Sequence, residues 1–102
     1  MTNARQEFLE HVEGRIVKCA KLWQESFLGG VGDIYLLKVG FSEEEYQDFL
    51  NKIDFSYDSG YGGQELYGNI WYLDGTYSGR GEYDGSEWWE HYKTPEIPEE
   101  LK

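Results

Sequence analysis

The spacing of apolar residues changes period several times along the chain, and each change marks an element. Phe8, Leu9 and Val12 form a helical stripe between Asn3, a residue type suited to capping, and Gly14, a natural stop. With Gln6 at the capping-box position, this predicts a helix over 3–13. The next run, Arg15 to Trp23, places Ile16, Ala20 and Leu22 on one parity and Val17, Cys19 and Trp23 on the other. Its β-branched start favours a strand, although Ile16, Ala20 and Trp23 also fit one helical face. Phe27 to Asp33 holds three glycines and is expected to be a loop. Ile34 to Val39 reads as a second strand, apolar on both faces and therefore expected to be central or covered. Ser42 and Glu45 make a capping box, Glu43 and Glu44 suit the positive end of a helix dipole, and Tyr46, Phe49, Leu50 and Ile53 recur at helical spacing. That predicts a second helix, and helix chemistry accounts for its acidic start.

The stretch from Tyr67 to Tyr92 is rich in Tyr and Trp and contains two Asp-Gly pairs, Asp74-Gly75 and Asp84-Gly85. Asp-Gly between strand formers is a strong hairpin signal, because a type I′ turn needs positive φ at both central residues. Two such turns give three antiparallel strands in a meander. The predicted fold is α+β, in the order α-β-β-α-β-β-β, as a single domain over 1–102 with 94–102 as an extended tail.

Two-residue turns at both pairs set a register. Leu73 would face Thr76, Trp71 Ser78, Asn69 Arg80 and Tyr67 Glu82; Glu82 would face Glu87, Gly81 Trp88 and Arg80 Trp89. Alternation then assigns Leu66, Ile70, Tyr72, Tyr77, Tyr83, Trp88 and Tyr92 to the core, with Trp88 lying across Gly81. The opposite face would carry Tyr67, Asn69, Trp71, Ser78, Arg80, Glu82, Glu87, Trp89 and His91. Rings among charges are typical of binding surfaces, so Tyr67, Trp71, Arg80, Glu82, Glu87, Trp89 and His91 are the candidate partner-binding residues. Trp89 opposite Arg80 allows a cation–π contact, and Glu82 opposite Glu87 is a like-charge pair that needs Arg80 or a partner to compensate it. The alternative is that the first helix or the amino-terminal strands cover this face.

Charge sharpens the picture. The 102 residues carry a net charge of −11, and 18% of them are aromatic. Residues 1–53 hold 9 acids and 6 bases, whereas 54–102 hold 11 acids and 3 bases. That balance argues against direct binding of nucleic acid or an anionic membrane and for a basic partner, including the possibility of mimicking nucleic acid. Cys19 is the single cysteine, so no intrachain disulfide forms and a reducing compartment is expected. The amino terminus lacks the apolar run of a signal peptide, and no stretch approaches the ~18 apolar residues of a membrane span. A cytoplasmic location is the expectation.

Catalytic signatures do not emerge. His11, His91 and Cys19 fall in different elements, and no nucleophile–base spacing, metal cluster or phosphate loop is present, so no enzyme activity, cofactor or metal is expected. Asp54, Ser56, Asp58 and Glu65 match part of a calcium-loop spacing, but the position that requires Gly is Ser59 and no helix follows. Glu82 and Glu87 lack the cleft that glycoside hydrolysis would need.

Gly75-x-Tyr77-x-Gly79-x-Gly81-x-Tyr83 looks like part of a MORN repeat, but one partial copy cannot build that architecture. Ile70 to Leu101, centred on R-G-E-Y-D-G-S-E-W-W (Arg80 to Trp89), resembles small uncharacterised proteins encoded by bacteriophages and prophages. The resemblance carries no residue roles. It implies an antagonist of host nucleic-acid-handling or defence machinery, of the anti-CRISPR or anti-restriction kind. The expected function is therefore a non-catalytic inhibitor that binds a basic surface of a host nucleic-acid-binding protein. The alternatives are a carbohydrate-binding module using Trp71 and Trp89, or a phage structural protein; no oligomeric state follows from the sequence.

Overall fold

A computed structural model describes residues 2–25, 31–57, 65–83 and 86–93. Its elements are β1 (Thr2–Asn3), α1 (Ala4–Val12), β2 (Val17–Glu25), β3 (Val31–Leu37), α2 (Glu43–Lys52), β4 (Ser56–Tyr57), β5 (Leu66–Tyr72), β6 (Tyr77–Tyr83) and β7 (Ser86–Tyr92). The α+β architecture and the carboxy-terminal meander agree with the sequence; β1 and β4 are additional. They pair with each other, Thr2 with Tyr57 and Asn3 with Ser56.

Both helices begin where their side chains can satisfy free N–H groups. The Asn3 side chain accepts from the Gln6 amide at 2.9 Å, while the Gln6 side chain donates forward to Glu10. At α2 the reciprocal capping box is complete: Glu45 N donates to Ser42 Oγ and Ser42 N to the Glu45 carboxylate. Phe49, Leu50 and Ile53 are buried, as their spacing requires.

The main sheet is antiparallel, in the order β3-β2-β5-β6-β7. Both helices pack on one side of it. Ala4, Phe8 and Val12 of α1 and Phe49 and Leu50 of α2 meet Ala20, Leu22, Leu37, Leu66, Ile70, Tyr72 and Trp89. Phe8, Ile53, Leu22, Leu66 and Ile70 are fully buried, each contributing about 1.5–3 kcal/mol relative to exposure. A register shift between Val17 and Cys19 brings Val17 opposite Tyr72 and turns Cys19 opposite Trp71.

Two expectations need correction. β3 is neither central nor covered: it is an edge strand, with Leu37 in the core and Ile34 and Leu36 about half exposed on the other side. It also starts at Val31, inside the stretch expected to be a loop, whose residues 27–30 lie outside the described residues. The second correction concerns register. β6 and β7 pair as expected, from Tyr83 opposite Ser86 to Arg80 opposite Trp89, although Asp84-Gly85 itself lies outside the described residues. β5 and β6 do not: Asn69 faces Gly79, Ile70 faces Ser78 and Trp71 faces Tyr77.

The cause is the length of the turn. Tyr72 N donates to Thr76 O at 3.0 Å and Gly75 N to Tyr72 O at 3.2 Å, which leaves Leu73, Asp74 and Gly75 in a three-residue loop. Gly75 takes the left-handed position, φ +87°, that closes such a loop. Asp74 Oδ1 accepts from both Thr76 N and Thr76 Oγ1, bracing it. Adding one residue to the turn inverts every side chain of β6, and β7 follows because its pairing to β6 is unchanged.

The tail 94–102 and most of the calcium-like stretch, 58–64, also lie outside the described residues. No helix among the described residues is long and apolar enough to cross a membrane.

Candidate functional site

The inversion separates the seven candidate residues. Tyr67 and Trp71 remain on the outer face of the sheet, away from the helices. Arg80, Glu87 and Trp89 face the helices instead, and α1 covers them. His91 is exposed at the rim, sharing a 2.8 Å hydrogen bond with Thr76 Oγ1, and Glu82 is exposed near the end of β6. The proposed cluster of Tyr67, Trp71 and Trp89 around Arg80 is therefore not one surface.

Beneath α1 the charged groups Arg80, Glu7 and Glu87 form a closed network with the Tyr57 hydroxyl, beside a buried Trp89 Nε1 that has no hydrogen-bond partner among the described residues. The Arg80 side chain is 2% exposed and donates to Glu7 at 2.9 Å, Glu87 at 3.2 Å and the Tyr57 hydroxyl at 2.6 Å. Its guanidinium lies 4.9 Å from the Trp89 ring centroid, so the expected cation–π contact forms, but inside the protein. Glu87 accepts further from Glu65 N at 2.7 Å and Leu66 N at 3.0 Å, which ties β7 to the start of β5. Burial opposes the Arg80 charge; Glu7, Tyr57 and Glu87 outweigh it and hold the guanidinium protonated. Burial, aided by the hydrogen bond to Glu7, pushes the Tyr57 hydroxyl well up, so it remains a donor. Arg80 thus compensates the Glu82–Glu87 repulsion, as that pairing requires.

A second polar chain runs alongside. His11 Nε2 and the Tyr72 hydroxyl each share a 2.7 Å hydrogen bond with Ser78 Oγ, and the His11 ring stacks on Trp89 at 5.9 Å. Burial first, then the Arg15 charge, lowers the His11 pKa to about 4, so its imidazole is neutral at pH 7. Every charged member of these networks is satisfied within the fold, which makes them structural parts.

The outer face is different. No described element packs on it, and its rings form two rows across the strands. Trp71, Tyr77 and Tyr92 are successive cross-strand neighbours, with the last two rings 5.3 Å apart. Trp23 stacks on Tyr67 at 5.9 Å and 8° in the second row, which Trp88 continues by lying across Gly81. Trp88 does cover Gly81 as expected, but on the outer face rather than in the core. Between the rows run Lys21, Asn69, Gly79 and Glu90. Lys21 and Glu90 are charged side chains on this face, Lys18 in the β2 bulge lies at its margin beside Cys19 and Trp71, and the Lys21 ammonium sits 5.4 Å from the Trp23 ring. Trp71 is 42% exposed, Tyr92 38% and Trp88 36%.

Sequence reasoning therefore missed Trp23, Tyr77, Trp88, Glu90 and Tyr92 as outer-face residues. A signal was available, because Leu-Asp-Gly-Thr also suits a three-residue loop with Gly in the left-handed position. Among the described residues, no group of three or more His, Cys, Asp or Glu side chains is placed to hold a metal ion. Comparison with known protein families, curated proteins and solved structures finds no match.

Proposed function

We propose that this protein is a non-catalytic binding protein whose binding surface is the outer face of the five-stranded sheet. The observation that carries the reading is the makeup of that face: two rows of Trp and Tyr with few charges between them, in a chain of net charge −11. Interface centres are enriched in aromatic side chains and depleted in charge. The partner is a basic protein surface. Most acids on the helices, such as Glu43, Glu44 and Glu45 of α2, lie away from the rings, so they attract a basic partner through the long-range field. The resemblance to phage proteins extends the proposal to an inhibitor of a host nucleic-acid-handling or defence protein in the bacterial cytoplasm. A sugar platform made of Trp71 and Trp89 is not proposed, because those rings occupy opposite faces of the sheet.

Capture from bacterial lysate on immobilised protein tests this when wild type is compared with a Trp71→Ser/Tyr77→Ser variant, with and without excess duplex DNA. The expected result is a basic protein retained by wild type, competed by DNA and lost from the variant. Equal retention by a folded variant would remove the outer face from the mechanism.

A further inference from the structure

The outer face contains one place where rings and a charge are held together. On the edge strand β7, Trp88, Glu90 and Tyr92 alternate and so project from the same side. Trp88 Nε1 donates to Glu90 Oε1 at 2.7 Å, and the Tyr92 hydroxyl donates to Glu90 Oε2. The Trp88 ring also rests on the neighbouring strand: a Cβ at Gly81 would lie 2.5 Å from Nε1 and 2.7 Å from Cε2. Gly79, opposite Glu90, lets the Asn69 and Tyr92 side chains close over the strand, 3.4 and 3.5 Å from where its Cβ would lie. The carboxylate therefore fixes two rings, and the absence of a side chain at Gly81 lets the Trp88 ring seat closely on β6.

Three features give this arrangement a preference for a cation. Each Glu90 oxygen uses one acceptor position on its neighbour and keeps another available. Indole and phenol faces carry the negative end of the ring quadrupole. Among the described residues Glu90 has no basic partner; Lys21 is three strands away across the sheet, roughly 14 Å at the usual ~4.8 Å strand spacing. The net charge of −11 adds a field that draws cations toward the surface. A planar guanidinium suits the place better than an ammonium, because it can stack on the flat Trp88 ring while its N–H groups reach the carboxylate beside it.

We infer that Trp88, Glu90 and Tyr92 form a recognition site for an arginine side chain presented by the partner protein. This rests on the reading of the outer face as the binding surface and names the group that face recognises.

The test uses 15N-labelled protein titrated with a blocked Gly-Arg-Gly-Arg-Gly peptide, following the indole N–H resonances. The Trp88 resonance is expected to move on titration, with affinity falling as salt rises. Peptides with citrulline or lysine in place of arginine should bind on the order of tenfold more weakly, as should the Glu90→Gln protein. Gly81→Ala, which forces the Trp88 ring from its seat, should weaken binding similarly and serves if Glu90→Gln does not fold. Equal responses to the citrulline or lysine peptide, a response to a neutral oligosaccharide in place of arginine, or a stationary Trp88 resonance would each overturn the assignment. The two readings fail separately. If lysate capture is lost in Trp71→Ser/Tyr77→Ser but intact in Glu90→Gln, the arginine site falls and the outer face stands; capture intact in both removes both.

Discussion

Replacing Arg80 with Met puts the buried network under α1 to the test. The substitution keeps much of the aliphatic stem and removes the guanidinium. Glu87, whose side chain is fully buried, loses its cation and keeps the Glu65 and Leu66 amides. Glu7 loses its cation too, but its side chain is 19% exposed and it retains the Tyr57 hydroxyl. Breaking a buried pair from one side costs about 3–5 kcal/mol, and the surviving donors place this case near the lower end, about 3 kcal/mol. A domain of this size has roughly 5–15 kcal/mol in total, so the variant should fold with a much reduced margin. In urea melts followed by tryptophan fluorescence, with a slope of about 1–1.5 kcal/mol per molar, the midpoint should fall by roughly 2–3 M. Arg80→Met/Glu87→Gln should regain about 1–2 kcal/mol over the single variant, because no buried anion is left unpaired at that position. A single-variant loss below about 1 kcal/mol, or a double variant no more stable than the single, would refute the view that Arg80 acts as the internal counter-ion.

Three further outcomes follow from the same packing. Trp89→Ala removes a ring that is 8% exposed and should cost about 3–5 kcal/mol, whereas Trp71→Ala, on the open face, should cost roughly 1 kcal/mol or less; chemical denaturation of both checks the assignment of faces. His11 should make stability fall with acidification: the unfolded imidazole takes its proton near 6.5 and the folded one near 4, so stability is present above 6.5 and lost progressively down to about 4. The full shift would correspond to about 3 kcal/mol, but the ring is only partly buried, so about 1 kcal/mol is expected after solvent screening, and urea midpoints for His11→Gln should lose that part of the pH dependence. Gly75→Ala meets no atom within 4 Å, so its cost is the left-handed backbone alone, about 1 kcal/mol, and Gly75→Asn should cost less; melts of the two variants separate strain from crowding.

Much of the local structure was legible from residue order. Asn3, and Ser42 with Glu45, set where the helices start, because free amides need acceptors, and the spacing of Phe49, Leu50 and Ile53 set which side of α2 is buried. The β6–β7 ladder and the inward side of β5 were also readable, from the pairing that Asp84-Gly85 implies and from Leu66, Ile70 and Tyr72. The face on which β6 and β7 present their rings was not. The β7 sequence S-E-W-W-E-H-Y places a tryptophan on each parity, so alternation has no preferred side, and Asp74-Gly75 suits a turn of either two or three residues.

That choice belongs to tertiary structure. Docking of α1 brings Glu7 to Arg80, lays His11 against Trp89 and closes a charge network around Glu87. Those contacts join residues far apart in the chain, and they outweigh a small local difference between turn lengths. The same packing leaves Trp88, Glu90 and Tyr92 outside. Residue order determined most of the elements, the starts of both helices and the β6–β7 pairing, because those depend on neighbours; it did not determine the β5–β6 register, the partners of β2 or the short strands β1 and β4. Whether a given tryptophan became core or surface depended on what the helix carried across to it.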